Sequence, residues 1–190
     1  MNVSLPRIFN RLMQIRKTDI KGLFVLEPRV FKDTRGYFFE SFHKQNLEDH
    51  GIDYNFIQDN QSRASFGVVR GLHYQRSPWA QTKLIRVIEG VIYDVAVDIR
   101  AGSPTYGRWY GLELSAENYL QLLVPAGFAH GFSVLSEHAT VNYKCDAYYN
   151  PASESGIHCA DPHLNIDWKL DLSLAVISEK DRILPHLKDI

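Results

Sequence analysis

The sequence predicts an all-β fold, in which many short strands form a sandwich or barrel and helices are few and short. Short apolar runs separated by Gly- or Pro-containing turns fill most of residues 68–149. Two of these runs, residues 83–89 and 91–99, alternate side chains with the period of two that is typical of strands. Strands and long helices do not alternate along the sequence, and this argues against a parallel sheet.

Composition supports one globular domain. The 190 residues are 45% hydrophobic and 23% charged, and the net charge of −1 gives no electrostatic case for a nucleic-acid partner. No stretch approaches the roughly 18 apolar residues of a membrane span. Residues 1–17 are basic and lack a continuous apolar core, so they make a poor signal peptide. We expect residues 1–17 to be an N-terminal extension that forms a weak amphipathic helix or a disordered segment. Residues 18–190 are expected to form a single domain.

The first third of the chain mixes strands with polar connections. Residues 20–30 read as a strand interrupted by Gly22 and Pro28, and residues 37–42 as the next strand after a charged turn at 31–36. Residues 43–50 are compatible with a helix that ends at Gly51. Residues 56–62 begin apolar and become rich in amides, which favours a turn or a set of hydrogen-bonding groups for a ligand.

The remaining elements follow from the same alternation of apolar runs and breaks. Beyond the two alternating strands, further strands are predicted at 109–114, 119–124, 128–135 and 140–149. Near the end, Ser178 is a candidate N-cap of a short helix, with Asp181 three residues on.

The two cysteines, Cys145 and Cys159, are too few for a disulfide framework, and their spacing matches no zinc site. We interpret them as partly buried free thiols in a reducing compartment, and we expect a cytoplasmic location.

The stretch from Arg70 to Gln75 places a cation, a base and an amide within six residues. His73 is the best candidate base, because the neutral imidazole accepts protons near physiological pH. Strict alternation puts Arg70 and His73 on opposite faces of a strand. A bulge at Gly71 would bring them to one face.

Two segments, residues 73–90 and 125–130, resemble the cupin barrel, a jelly-roll fold, or double-stranded β-helix. Metal-binding cupins hold their ion with histidines and a carboxylate at such places. Here Gln75 stands in the position of the second histidine and is a poor ligand. We therefore expect no metal, and a cavity that uses its histidines for acid–base chemistry.

The chain from about residue 20 to 185 resembles the dTDP-4-dehydrorhamnose 3,5-epimerase family. An ordered set of segments carries the resemblance: 35–40, 58–60, 70–75, 81–84, 94–100, 103–107, 114–118, 125–132, 143–144 and 178–181. It implies a jelly-roll homodimer that inverts C5 and C3 of dTDP-4-dehydro-6-deoxy-D-glucose, giving dTDP-4-dehydro-L-rhamnose. The resemblance implies no metal or organic cofactor.

The same resemblance assigns four catalytic roles. His73 matches the base, Asp181 the carboxylate that orients it, and Tyr143 the acid that reprotonates from the opposite face. Lys83 matches the group that stabilises the enolate. The residue types suit the reaction, since both carbons flank a ketone and each inversion needs a base, an acid and a positive charge near the oxyanion.

The implied binding residues form a larger set. Arg35 and Arg70 would meet the diphosphate, and Tyr149 would stack on thymine. Glu40 would be contributed across the homodimer. The other residues would line the nucleotide or sugar pocket: Gln58, Asp59, Asn60, Asp94, His130, Glu154 and Lys180.

Several alternatives stay open at this point. An epimerase of the same fold that inverts only C3 or C5, or that acts on a different 4-keto sugar, would keep His73 and Tyr143. A ketoisomerase would not need Tyr143 as an opposite-face acid. A non-catalytic sugar-nucleotide sensor would not need all four catalytic side chains. A metal-dependent cupin oxygenase or isomerase is a further alternative, which metal analysis of the purified protein would identify.

Overall fold

The computed structural model describes residues 12–190, which form two facing antiparallel sheets, a separate hairpin and a few short helices. The strands, in chain order, are β1 (Met13–Lys17), β2 (Phe24–Pro28), β3 (Phe31–Asp33), β4 (Gly36–Phe38), β5 (Gln58–Ser65), β6 (Val69–Gln75), β7 (Lys83–Glu89), β8 (Val91–Asp98), β9 (Trp109–Ser115), β10 (Gln121–Val124), β11 (Phe128–Val134), β12 (His138–Cys145) and β13 (Glu154–Gly156). The helices are α1 (Lys44–Glu48) and α2 (Glu179–Arg182), with 3₁₀ turns at Leu172–Leu174 and Leu187–Asp189.

The predicted jelly-roll barrel is confirmed. One sheet has the order β1-β2-β10-β7-β12-β5 and the other β13-β6-β11-β8-β9, and among the strands of residues 12–190, β3 and β4 pair only with each other. Neighbouring strands within both sheets are antiparallel, and short connections such as the single residue between β7 and β8 carry the chain from one sheet to the other.

Apolar side chains are buried in three layers. The central layer lies between the sheets and includes Ile85 and Val141 from one sheet and Ile92 and Phe132 from the other. The outer face of the five-stranded sheet is covered by the C-terminal segment, which contributes Trp168. Under α1, the outer face of the six-stranded sheet buries a third cluster: Met13, Leu26, Leu47, Ile52, Leu84 and Leu123.

Strand β8 is buried on both faces, and this explains its nearly continuous apolar sequence. Val95 and Val97 face the C-terminal segment, whereas Ile92 and Ala96 face the barrel interior. Asp94 lies two residues from Ile92 and two from Ala96, so it also points into the barrel, where a carboxylate requires a partner.

Two local expectations were wrong in the first third of the chain. Residues 56–62 were expected to form a turn or a set of hydrogen-bonding groups for a ligand. The turn was wrong, because Gln58–Ser65 form β5, which pairs with β12 over its whole length. They show no apolar alternation because β5 is an edge strand that carries polar side chains on both faces. The charged turn at 31–36 and the strand expected at 37–42 are instead a hairpin, whose second strand ends at Phe38.

The expectation of a weak helix or a disordered segment at residues 1–17 was wrong for residues 13–17. Met13–Lys17, assigned to a weak helix or disordered segment, is β1, which pairs with β2 at the edge of the larger sheet. Residues 1–11 lie outside the described residues. Among residues 12–190, no helix is long and apolar enough to cross a membrane.

Candidate active site

Two adjoining cavities lie between the sheets and share His73, Lys83 and Tyr143. The inner cavity has a volume of about 110 Å³ and is lined by Ser62, Arg70, His73, Lys83, His130, Gly131, Phe132 and Tyr143. The outer cavity has a volume of about 250 Å³ and is lined by Gln58, Asn60, His73, Tyr74, Gln75, Gln81, Lys83, Tyr143, Tyr149 and Glu154. Strand β6 carries His73, and strands β7 and β12 of the opposite sheet carry Lys83 and Tyr143.

A β-bulge at Gly71 brings Arg70 and His73 to the same cavity, so the roles assigned to the two residues are compatible. His130 of β11 pairs with His73, but Phe132, two residues on, pairs with Arg70, three residues back, so β6 holds one extra residue. Gly71 has φ of +117°, and a Cβ there would lie 2.7 Å from Cα of Gly131. Only glycine fits this bulge without moving the neighbouring strand.

The candidate base is paired with a carboxylate. Nε2 of His73 lies 2.7 Å from Oδ1 of Asp181, and the backbone N–H of Gly71 donates to Oδ2 at 3.2 Å. Ser178 caps α2 by accepting a hydrogen bond from the N–H of Asp181, which confirms the predicted N-cap. Burial alone would raise the pKa of Asp181, but the bonds from His73 and Gly71 bring that pKa below its ordinary value.

A second histidine–carboxylate pair lies deeper in the barrel. Nε2 of His130 is 2.8 Å from Oδ1 of Asp94, and both side chains are buried. Oδ2 of Asp94 has no hydrogen-bond partner among the described residues. His130 lines the inner cavity, so this pair places a polar group against any ligand there.

Lys83 and Tyr143 lie side by side on the wall opposite His73. Nζ of Lys83 is 6.0 Å from the centre of the Tyr143 ring. Burial lowers the pKa of the Lys83 ammonium and raises the pKa of the Tyr143 hydroxyl. The hydroxyl therefore remains a proton donor at neutral pH, and the Lys83 side chain lies beside it.

Polar side chains at the rim of the outer cavity form a connected chain. The Tyr149 hydroxyl donates to Oε2 of Glu154 at 2.6 Å, and Nζ of Lys180 lies 2.6 Å from the same oxygen. The backbone N–H of Tyr149 donates to Oε1 of Gln58 at 3.0 Å, and Gln58 donates to Asn60. These five predicted binding residues are thus close together.

Three predicted binding residues are not brought to the cavities of this chain. Asp59 lies on the outer face of β5 and pairs with Lys144 at 3.0 Å, because successive strand residues face opposite ways. Arg35 stands on the β3–β4 hairpin, with its side chain 87% exposed and paired with Asp33. Glu40 follows that hairpin, and its buried Oε2 has no hydrogen-bond partner among residues 12–190.

Several residues that line the cavities were not predicted from the sequence. Gln75 was considered only as a poor metal ligand, and Gln81, Tyr74, Ser62 and Phe132 were not singled out as site residues. Alternation from Gln58 and Asn60 along β5 would have placed Ser62 on the same face. In the described part of the chain, no group of three or more His, Cys, Asp or Glu side chains is arranged to hold a metal ion.

The family model, the curated relatives and the solved structures to which this chain is similar all belong to one family. The sequence model of the dTDP-4-dehydrorhamnose 3,5-epimerase family matches residues 17–189. A dTDP-4-dehydrorhamnose 3,5-epimerase from Methanothermobacter thermautotrophicus is 49% identical, over 91% of this chain and 94% of the relative. A solved dTDP-6-deoxy-D-glucose-3,5-epimerase from Legionella pneumophila, in complex with dTDP-4-keto-L-rhamnose, is 50% identical, with a TM-score of 0.90 and 94% of each chain covered.

A 3'-monoepimerase from Streptomyces bikiniensis, solved in complex with dTDP-quinovose, is also similar. It is 34% identical to this chain, with a TM-score of 0.84, and the match covers 90% of this chain and 86% of that one. The fold is therefore shared by relatives that are named for inverting two positions and by one named for inverting a single position.

Proposed function

The chain belongs to the dTDP-4-dehydrorhamnose 3,5-epimerase family, and from this membership we propose that it converts dTDP-4-dehydro-6-deoxy-D-glucose to dTDP-4-dehydro-L-rhamnose. It is an isomerase, and the sugar it makes supplies rhamnose biosynthesis. One structural observation carries the catalytic proposal. His73 and Tyr143 line the same small cavity but extend into it from opposite sheets.

The first half of each inversion is removal of a proton from a carbon beside the C4 ketone. His73 takes this proton on its imidazole, and the electron pair left on carbon delocalises onto the ketone oxygen to give an enolate. Asp181, 2.7 Å from the imidazole, stabilises the resulting imidazolium. The Lys83 ammonium stabilises the enolate oxygen, because a desolvated cation acts strongly where water is excluded.

The second half is proton delivery from the other face of the sugar. Tyr143 donates its hydroxyl proton to the same carbon, the enolate collapses to the ketone, and the configuration is inverted. His73 then loses its proton and Tyr143 regains one by exchange with solvent. The same steps at C5 and at C3 give the double inversion.

The proposal assigns binding roles around this centre. Arg70 meets the diphosphate, Tyr149 stacks on thymine, and the remaining groups contact the nucleotide or sugar: Gln58, Asn60, Asp94, His130, Glu154 and Lys180. Asp59 does not fit this set, since it faces away from both cavities.

We also propose a homodimer in which Arg35 and Glu40 act in the partner's site. The β3–β4 hairpin supports this, since it exposes Phe31, Tyr37 and Phe38 to solvent in the single chain. We place the protein in the cytoplasm, a location that suits the two buried free thiols, Cys145 and Cys159.

Proton exchange in D2O tests the proposal. The protein is incubated with dTDP-4-dehydro-6-deoxy-D-glucose, and the C3 and C5 protons are followed by NMR beside His73→Ala and the exposed control His163→Ala. Deuterium at both carbons, lost only in His73→Ala, together with a product that a rhamnose-forming reductase accepts, is the expected result.

The other outcomes identify the rivals. Exchange at one carbon alone would indicate a mono-epimerase, the activity for which the 34% identical relative from Streptomyces bikiniensis is named. No exchange at either carbon, with dTDP still bound, would leave a non-catalytic nucleotide-sugar sensor.

A further inference from the structure

Four consecutive backbone units, residues 147–150, are held by glutamine side chains that line the outer cavity. Gln81 donates to the carbonyl of Ala147 at 2.7 Å, and Gln75 donates to the carbonyl of Tyr148 at 3.2 Å. Gln58 and Gln75 accept from the next two backbone N–H groups, those of Tyr149 and Asn150, at 3.0 and 2.7 Å. The loop that presents the Tyr149 ring is thus fixed by side chains from the barrel.

The Gln75 amide has no donor left for a ligand. Its Nε2 carries two N–H groups, and these bond the carbonyls of Trp79, at 2.7 Å, and Tyr148. Its Oε1 accepts from the backbone N–H of Asn150, and the residue as a whole is only 7% exposed. Although Gln75 lines the cavity, its hydrogen bonds join the loop at 76–80 to the loop at 147–150.

We propose that Gln75, supported by Gln81, is a positioning residue that holds Tyr149 ready to stack on the nucleotide base. This inference rests on the proposed function, which gives Tyr149 that contact. A loop ordered before the ligand arrives costs less conformational entropy on binding than one that is ordered by the ligand. Loss of the Gln75 bonds should therefore weaken nucleotide binding and leave proton transfer at His73 and Tyr143 nearly intact.

The experiment compares Gln75→Met with the wild type and with Gln45→Met, a matched change on the exposed surface of α1. Affinity for dTDP is measured by calorimetry, kcat and KM by product formation, and loop order by hydrogen exchange of peptides spanning 146–153. We expect Gln75→Met to weaken dTDP binding about tenfold, the value of roughly one net hydrogen bond. We expect kcat to stay within about twofold and the peptides to exchange faster without ligand.

A double-mutant cycle tests whether Gln75 acts through Tyr149. In a Tyr149→Ala background, Gln75→Met should weaken dTDP binding by less than about twofold further, since the group that it positions is already absent. Fully additive losses would overturn the proposal. So would unchanged affinity and exchange, or a loss confined to kcat.

Gln81→Met removes only one hydrogen bond to the loop, the one to the carbonyl of Ala147. This variant replaces Gln75→Met in the experiment if thermal unfolding shows that Gln75→Met does not fold. It should produce the same pattern at smaller size, and no change in affinity or exchange would count against the proposal. A wild-type protein that neither binds dTDP nor exchanges substrate protons would refute the proposed function. An active wild type with an unaltered Gln75→Met variant would refute only the positioning role.

Discussion

His73 and Asp181 lie 108 residues apart in the chain, yet Nε2 of the imidazole is 2.7 Å from Oδ1 of the carboxylate. The contact depends on the C-terminal segment, which packs Trp168 and its neighbours on the outer face of the five-stranded sheet. That packing places α2 beside β6, and the N-cap at Ser178 sets the first turn that carries Asp181. The apolar packing between the C-terminal segment and the five-stranded sheet therefore orients the catalytic base, through Asp181.

Asp181→Asn should reduce kcat by roughly 10²- to 10⁴-fold while dTDP binding stays close to wild type, because the imidazolium loses its anion and its fixed orientation. The loss should appear in kcat and not in the affinity for dTDP, which a general folding defect would not produce. Steady-state kinetics and calorimetry with dTDP check both effects. Asp171→Asn, an exposed carboxylate outside the site, is the control. Wild-type kcat in Asp181→Asn would show that the pair has no catalytic role.

Tyr143→Phe should separate proton removal from inversion. His73 still removes the proton, so deuterium from D2O continues to enter the substrate from the same face. Inverted product should fall by at least about 100-fold, because no acid faces the other side of the sugar. NMR measures exchange and configuration in one sample. Inversion at the wild-type rate would mean that another group delivers the proton.

Gly71→Ala should disrupt the bulge that joins Arg70 to His73. Its Cβ would lie 2.7 Å from Cα of Gly131 and 2.8 Å from the carbonyl of His130, at a φ of +117°. We expect a loss of about 2–4 kcal/mol in the free energy of unfolding, measured with denaturant, and a larger loss of activity. Gly102→Ala has open space around its Cβ and a φ of +75°, so it should cost only about 1 kcal/mol. Equal costs would contradict the packing argument.

Much of the barrel was predictable because its central strands carry regular alternation. β7 and β8 begin and end close to the predicted bounds. The possibility of a bulge at Gly71 came from the family resemblance, which assigns Arg70 and His73 to one site. β5 was missed because both its faces are polar. Had it been read as a strand, the period of two would have separated Asp59 from Gln58 and Asn60.

Other parts of the site had no sequence signal of this kind. The assignment of Asp181 to His73 came from family resemblance, since no local pattern joins residues so far apart. The roles of Gln75 and Gln81 depend on hydrogen bonds to loop carbonyls, and loop conformation leaves no periodic trace in the sequence. Polar side chains that bind backbone groups are thus the least predictable components of this cavity.

Lys83 should set the alkaline limit of the reaction. Burial lowers the pKa of its ammonium below the ordinary 10.5, whereas burial raises the pKa of Tyr143 above 10.0. As pH rises, Lys83 therefore loses its charge earlier than a solvated lysine would, and kcat should fall below pH 10.5. Lys83→Arg should move this fall to higher pH, since a guanidinium stays charged, at some cost in kcat from its different shape. An unmoved alkaline limb would assign the fall to another group.

Asp98 should contribute stability rather than catalysis. Its fully buried carboxylate accepts hydrogen bonds from Arg100, Ser103 and Thr105. Burial alone would raise the pKa of Asp98, but these bonds hold it well below the ordinary 3.8. Asp98→Asn should therefore lower the free energy of unfolding by about 2–4 kcal/mol at pH 7.

The sign of the pH dependence makes the Asp98 prediction specific. A depressed folded-state pKa gives stability that is complete above the unfolded pKa and is lost as pH falls towards the folded one. The gap between wild type and Asp98→Asn should thus be constant from pH 7 to about 5 and narrow below about pH 4. Denaturant titrations at several pH values measure this gap, with Asp53→Asn, an exposed carboxylate, as the control. A gap that widens on acidification would show that Asp98 is not held ionised by this loop.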